Sequence, residues 1–132
     1  MSGEPRWLAK HALLLLHAES LAQFGGAGGL RDEGLLESAL ARPLNLYGYE
    51  GVGDPPRLAA AHAYGIARNH PFVDGNKRAA FAAAGVFLKL NGLDLTAGKA
   101  EATVAVLDLA AGTLPEEGFA AWLRDNTRPR GA

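Results

Sequence analysis

The chain has 132 residues, a formal net charge of −1, no Cys and 20% charged residues. That length fits one domain with a core of its own. The missing Cys excludes a disulfide scaffold, a thiolate zinc centre and a Cys nucleophile, and the balanced charge argues against a generic nucleic-acid binder. Ala and Leu number 26 and 21, against 5 Val and 1 Ile. Ala and Leu favour helices whereas Val and Ile favour strands, so an all-α domain is expected. The run Ala12 to Leu16 closes at His17 and is flanked by Lys10 and Glu19. It is far short of the roughly 20 apolar residues that a membrane span needs, and no signal peptide is recognisable. The expectation is a cytoplasmic protein without membrane contact.

In chain order, six helices are predicted. The first runs from Pro5 to Phe24 with Leu8, Ala12, Leu15 and Ala22 as its apolar stripe. The glycines from Gly25 to Gly29 stop it. Asp32 suits an N-cap for a helix through Arg42, with Leu35, Leu36, Ala39 and Leu40 inward and Pro43 as its end. Residues 44–56 hold Gly48, Gly51, Gly53, Pro55, Pro56, Tyr47 and Tyr49, and read as an irregular loop, a candidate flap. Pro56 opens a helix to about Asn69. After a loop, Lys77 to Asn91 is apolar nearly all round and reads as the buried centre of the bundle. Helices at Lys99 to Ala111 and Pro115 to Asp125 follow, the latter with Thr113 and Glu116 as a capping box. Residues 1–126 are expected to form the domain and 127–132 a disordered tail.

The chemistry is concentrated in His70-Pro71-Phe72-Val73-Asp74-Gly75-Asn76-Lys77-Arg78. Each residue alone is ordinary loop chemistry. Together they set a proton acceptor, His70, four residues before a hard oxygen ligand for Mg²⁺, Asp74. Gly75 permits a bend, and Asn76, Lys77 and Arg78 stand at a helix start, where free N–H groups and the dipole favour an anion. The pattern points to a polyphosphate site beside a hydroxyl nucleophile.

This stretch resembles the motif of the Fic/Doc superfamily, and Lys77-Arg78 resembles its Doc (death-on-curing) branch. Phe24-Gly25-Gly26, Gly29 to Asp32, Leu36 to Pro43, Phe87 to Gly92 and Ala121 to Arg124 are also similar to that family. The resemblance covers roughly residues 10 to 126 and implies a compact all-α bundle. It implies a toxin that transfers phosphate from ATP, with Mg²⁺, to a threonine of translation elongation factor Tu. It implies His70 as general base, Asp74 as metal ligand, and Gly75, Asn76, Lys77 and Arg78 at the nucleotide phosphates, with Arg68 as a further basic residue near the site. A Phd-type antitoxin is the implied partner, laid as an amphipathic helix into an Ala/Leu-rich groove.

Two departures separate this chain from Fic adenylyltransferases, which carry Gly where Lys77 stands and a second Arg where Phe81 stands. A Lys fills the space against the backbone and moves a cation to another phosphate, so the γ-phosphate is the one presented to His70. AMP transfer and a non-catalytic antitoxin-binding module are the alternatives. Thr113 to Gly118 matches a loose self-inhibition motif of Fic proteins, but with Phe81 in place of Arg it reads as a helix cap. His17 is expected to form a buried hydrogen bond, Arg31-Asp32 to fix a turn, and Tyr47 and Tyr49 either to line the flap or to pack it.

Overall fold

The computed structural model describes residues 3–131. Its six helices are α1 (Lys10–Phe24), α2 (Glu33–Glu50), α3 (Pro55–Asn69), α4 (Asn76–Leu90), α5 (Lys99–Ala111) and α6 (Glu116–Asp125). Two three-residue strands, β1 (Leu93–Leu95) and β2 (Thr127–Pro129), pair antiparallel with Leu93 opposite Pro129. The all-α expectation holds, and the small sheet is an addition to it.

α3 and α4 form the centre. Ala59, Ala60, Ala61, Ala63 and Ala67 of α3 and Ala79, Ala80, Ala83 and Ala84 of α4 are buried. Small side chains let helix axes approach closely, and Ala gives up no rotamer freedom on burial. Phe87, Phe119 and Leu123 fill the wider gaps. α2 meets α3 at Gly65, where an added Cβ would stand 3.0 Å from both Cα and Cβ of Ala39. Gly65→Ala therefore forces the pair apart. We expect it to cost about 2 kcal/mol, read as a lower urea midpoint; an unchanged midpoint would mean that the crossing yields freely.

The largest difference from the sequence reading is α2. It continues through Pro43 to Glu50, so the irregular flap expected over 44–56 shrinks to residues 51–54. Pro43 lacks the N–H for the bond to Ala39, but it is fully buried, and beyond it Leu46 is buried while Tyr47 packs edge-on against Trp7. Burial of Pro43 and Leu46, with Tyr47 packed against Trp7, outweighs the lost bond. Gly51, left-handed at φ 70°, then caps the helix.

α1 starts at Lys10, not Pro5. Residues 3–9 precede it without regular secondary structure, with Trp7 packed near Phe87 and Leu8 buried. The stripe is also shifted: Leu13 and His17 face inward, while Leu15 is 55% exposed. The expected capping box at α6 is absent, since Thr113 Oγ1 donates to the Asp108 carbonyl. Glu116 instead accepts from Arg42 and Arg57, tying α6 to α2 and α3. The tail expected to be disordered contributes β2 and a bond from Arg130 N to the Gly92 carbonyl; Ala132 lies outside the described residues. No described helix is long and apolar enough to cross a membrane.

Candidate functional site

The loop between α3 and α4 is built from both sides. α3 ends because Pro71 cannot extend it. His70 takes a left-handed conformation (φ 50°, ψ 58°) and its N–H still donates to the Ile66 carbonyl. Phe72 then plunges into the core. Asn76 folds the loop onto itself: its carbonyl oxygen accepts from Phe72 N at 2.9 Å, and its amide donates to the Phe72 carbonyl at 3.0 Å. Between these anchors Val73 and Asp74 are exposed.

Asp74 is held by backbone. Its carboxylate accepts from Gly75 N at 2.8 Å and from Ala27 N at 3.3 Å. These N–H groups, Gly75 first, hold its pKa below the usual Asp value, and the charge of Arg78 adds to this. The approach of residues 26–27 needs glycine. Gly26 has φ 123°, and a Cβ there would lie 2.8 Å from Asp74 Oδ2. From beneath, buried His17 stacks on Phe72, with ring centroids 3.7 Å apart, and its Nε2–H donates to the Asp74 carbonyl at 2.7 Å. That bears out the hydrogen-bonding role read for His17.

α4 begins directly after Gly75, which is left-handed at φ 76°. Its first N–H groups have no partners within the helix and form an anion-favouring end. Lys77 is exposed there. Arg78 Nη2 donates to the Gly25 carbonyl at 2.9 Å, and its guanidinium lies over the Phe24 ring. His70, Asp74, Gly75, Lys77 and Arg78 therefore belong to one continuous loop and helix start. Asn76 joins them in place, with its side-chain amide engaged by the Phe72 backbone. Arg68, expected beside the loop, is turned away: Nη1 donates to the Ala110 carbonyl at 3.4 Å.

The site fits Mg²⁺ held in part by phosphate. Among the described residues no three His, Cys, Asp or Glu side chains gather as a cage. One ionised, exposed carboxylate beside a phosphate-favouring helix end is how Mg²⁺ is commonly bound when substrate oxygens and waters complete its shell.

Beside Lys77 and Arg78 opens an apolar groove of about 660 Å³ between α1, α4 and α5. Leu16, Phe24, Phe81, Val106 and Leu107 line it. Phe81 thus faces this groove in place of the cation that Fic adenylyltransferases carry. Glu116, in the segment that matches a loose inhibitory motif, is engaged with Arg42 and Arg57 away from the loop.

Residues 7–88 match the Fic/DOC family. The chain belongs to that family. It is 51% identical over 87 residues to "Toxin Doc" of Mycolicibacterium smegmatis, covering 63% of this chain and 64% of that protein. It is 32% identical over 114 residues to "Protein kinase doc" of Escherichia phage P1, covering 80% of this chain and 90% of the phage protein. The Fic/DOC match spans the whole α3–α4 loop and the first three helices.

Two contributors to this Fic/DOC site escaped the sequence reading. The Gly25–Gly29 run was legible as a helix stop and, at Phe24-Gly25-Gly26, as similar to the family, but not as the source of the Ala27 N–H and the Gly25 carbonyl that it supplies to the site. Arg31 was legible as a turn residue; it donates to the carbonyls of Asn69 and His70.

Proposed function

We propose that this protein is the toxin of a type II toxin–antitoxin system, a Doc-type kinase that transfers the γ-phosphate of ATP to a threonine hydroxyl of elongation factor Tu and so arrests translation. The observation that carries this is the gathering, on one loop and helix start, of an exposed imidazole, a backbone-held carboxylate, free N–H groups and two cations. The names of the two relatives, a Doc toxin and a Doc kinase, support it.

In this reading His70 accepts the proton of the threonine hydroxyl as its oxygen attacks the γ-phosphorus and the bond to the departing ADP breaks. Lys77, Arg78 and the first N–H groups of α4 hold the phosphate oxygens in line. Asp74 would hold Mg²⁺, which when bound neutralises charge on those oxygens. His17, Phe72 and Asn76 keep the loop backbone in place so that these groups need no rearrangement at the moment of transfer. The groove beside Lys77 and Arg78, with exposed Phe24 and Leu107 on it, suits an amphipathic helix of a Phd-type antitoxin. The protein acts in the cytoplasm, where ATP and its target are.

Incubation of purified protein with a cell lysate and ATP labelled at either the γ- or the α-phosphate tests the reaction type. Label from the γ-phosphate on one protein is expected; label from the α-phosphate alone means AMP transfer and overturns the kinase reading. Asp74→Ala is expected to abolish Mg²⁺-dependent transfer while the helical circular dichroism stays near wild-type, because the side chain is exposed and its two bonds go to loop backbone outside the core. Loss of the fold would instead make Asp74 structural.

A further inference from the structure

We propose that Arg31 is a positioning residue for the His70 imidazole. It grips the backbone on which that ring is mounted. Nε donates to the His70 carbonyl at 2.6 Å, and Nη2 donates to the Asn69 carbonyl at 2.7 Å. Both carbonyls lie at the C-terminal end of α3, where helix geometry leaves oxygens without N–H partners and the dipole favours a cation.

His70 is the only non-glycine with positive φ among the described residues. Left-handed backbone crowds an L side chain, and the residue before a proline prefers the extended region. His70 thus stands against its own local preference. In the extended conformation its carbonyl would leave the guanidinium, and its Cβ would aim the ring elsewhere. The planar fork of Arg spans two adjacent carbonyls; the point charge of a Lys cannot.

The surrounding backbone shows that this is a brace and not a chance contact. Arg31 N and Asp32 N both donate to the Pro71 carbonyl, at 2.7 and 3.1 Å, and Val73 N donates to the Gly29 carbonyl at 3.1 Å. Asn69 Nδ2 donates to the Leu35 carbonyl at 3.1 Å. Residues 29–35 therefore clamp both sides of His70, and among the described residues Arg31 is the one that hydrogen-bonds the His70 carbonyl. Arg31 is exposed, so burial does not explain its engagement.

The inference rests on the reading of His70 as general base, and its test separates the two. Arg31→Ala and Arg31→Gln in the full chain are compared with wild-type by NMR at the His70 backbone and by kinetics of γ-label transfer. The expected result is a changed His70 Cα shift and amide coupling, with kcat lower by roughly tenfold or more and KM for ATP near wild-type. Arg31→Lys should restore part of the rate. Arg31→Gln keeps a donor on the same stem, so it reports even if Arg31→Ala fails to fold. Wild-type His70 signals in the folded variants overturn the brace, as does a changed backbone with unchanged kcat. The base assignment fails separately, by His70→Ala retaining full transfer.

Discussion

Lowering the pH from 7 to about 4.5 will remove roughly 2.5 kcal/mol of stability through one side chain, His62. The ring is 1% exposed, packs beside Phe87, and neither nitrogen has a hydrogen-bond partner among the described residues. Burial alone pushes its pKa from 6.5 down to about 4. The sign follows from proton counting. Between those values the unfolded chain takes up a proton at this site and the folded one does not, so acid favours unfolding. The stability is fully present above pH 6.5 and falls by about 1.4 kcal/mol per pH unit below it, until the folded-state pKa is reached. Urea unfolding followed from pH 7 to 4.5 reads this slope directly. In His62→Leu the slope should largely vanish, and the variant should be more stable than wild-type at pH 5, since two unpaired nitrogens leave the core. Equal slopes in the two proteins would show that the site opens to water. Asp74 and Glu33 have lowered pKa values, so most of their loss falls beneath this window.

Removing the imidazole of His70 should cost far more in function than in fold. General-base catalysis contributes about 10² to 10⁴ in rate, so His70→Ala is expected to lose transfer by that factor and to stop arresting growth. The ring is exposed, and none of the bonds that hold the loop uses it. Its unfolding transition should therefore stay close to wild-type. His70→Asn is the sharper variant, because Asn tolerates the left-handed backbone better than Ala yet offers no base. If either variant, folded, still arrests growth, catalysis by His70 is the wrong mechanism and a binding module becomes the better reading.

Much of this architecture was legible from composition and from one nine-residue stretch. The excess of Ala and Leu foretold helices, and the all-apolar run after Lys77 foretold that α4 is central. Asp32 does cap α2, with its carboxylate accepting from Leu35 N. What failed were local rules overruled at a distance. Pro43 is a helix breaker by propensity, and only burial against residues far along the chain keeps α2 going. Thr113 and Glu116 match a cap by spacing, but two arginines from other helices capture the carboxylate. Within the site, the identities at 70, 74, 77 and 78 were readable because side chains carry their chemistry. The support from residues 25–27 was not, because backbone groups do it and a glycine run does not announce its partner. Arg68 shows the converse: the family resemblance placed it near the site, and the helical turn aims it at the Ala110 carbonyl instead.

Asn91, at the far end of α4, accepts from Arg6 N and donates to the Arg6 carbonyl, while Arg130 N reaches the neighbouring Gly92 carbonyl. The first and last described segments are thus gathered at one pole, and the loop between α3 and α4 lies at the other, about 22 Å away along the 15-residue helix. A tether or fluorophore attached beyond residue 131 therefore leaves from the pole opposite the loop. Immobilised by that end, the molecule presents both the loop and the start of the apolar groove to solution, an orientation suited to capturing whatever binds them.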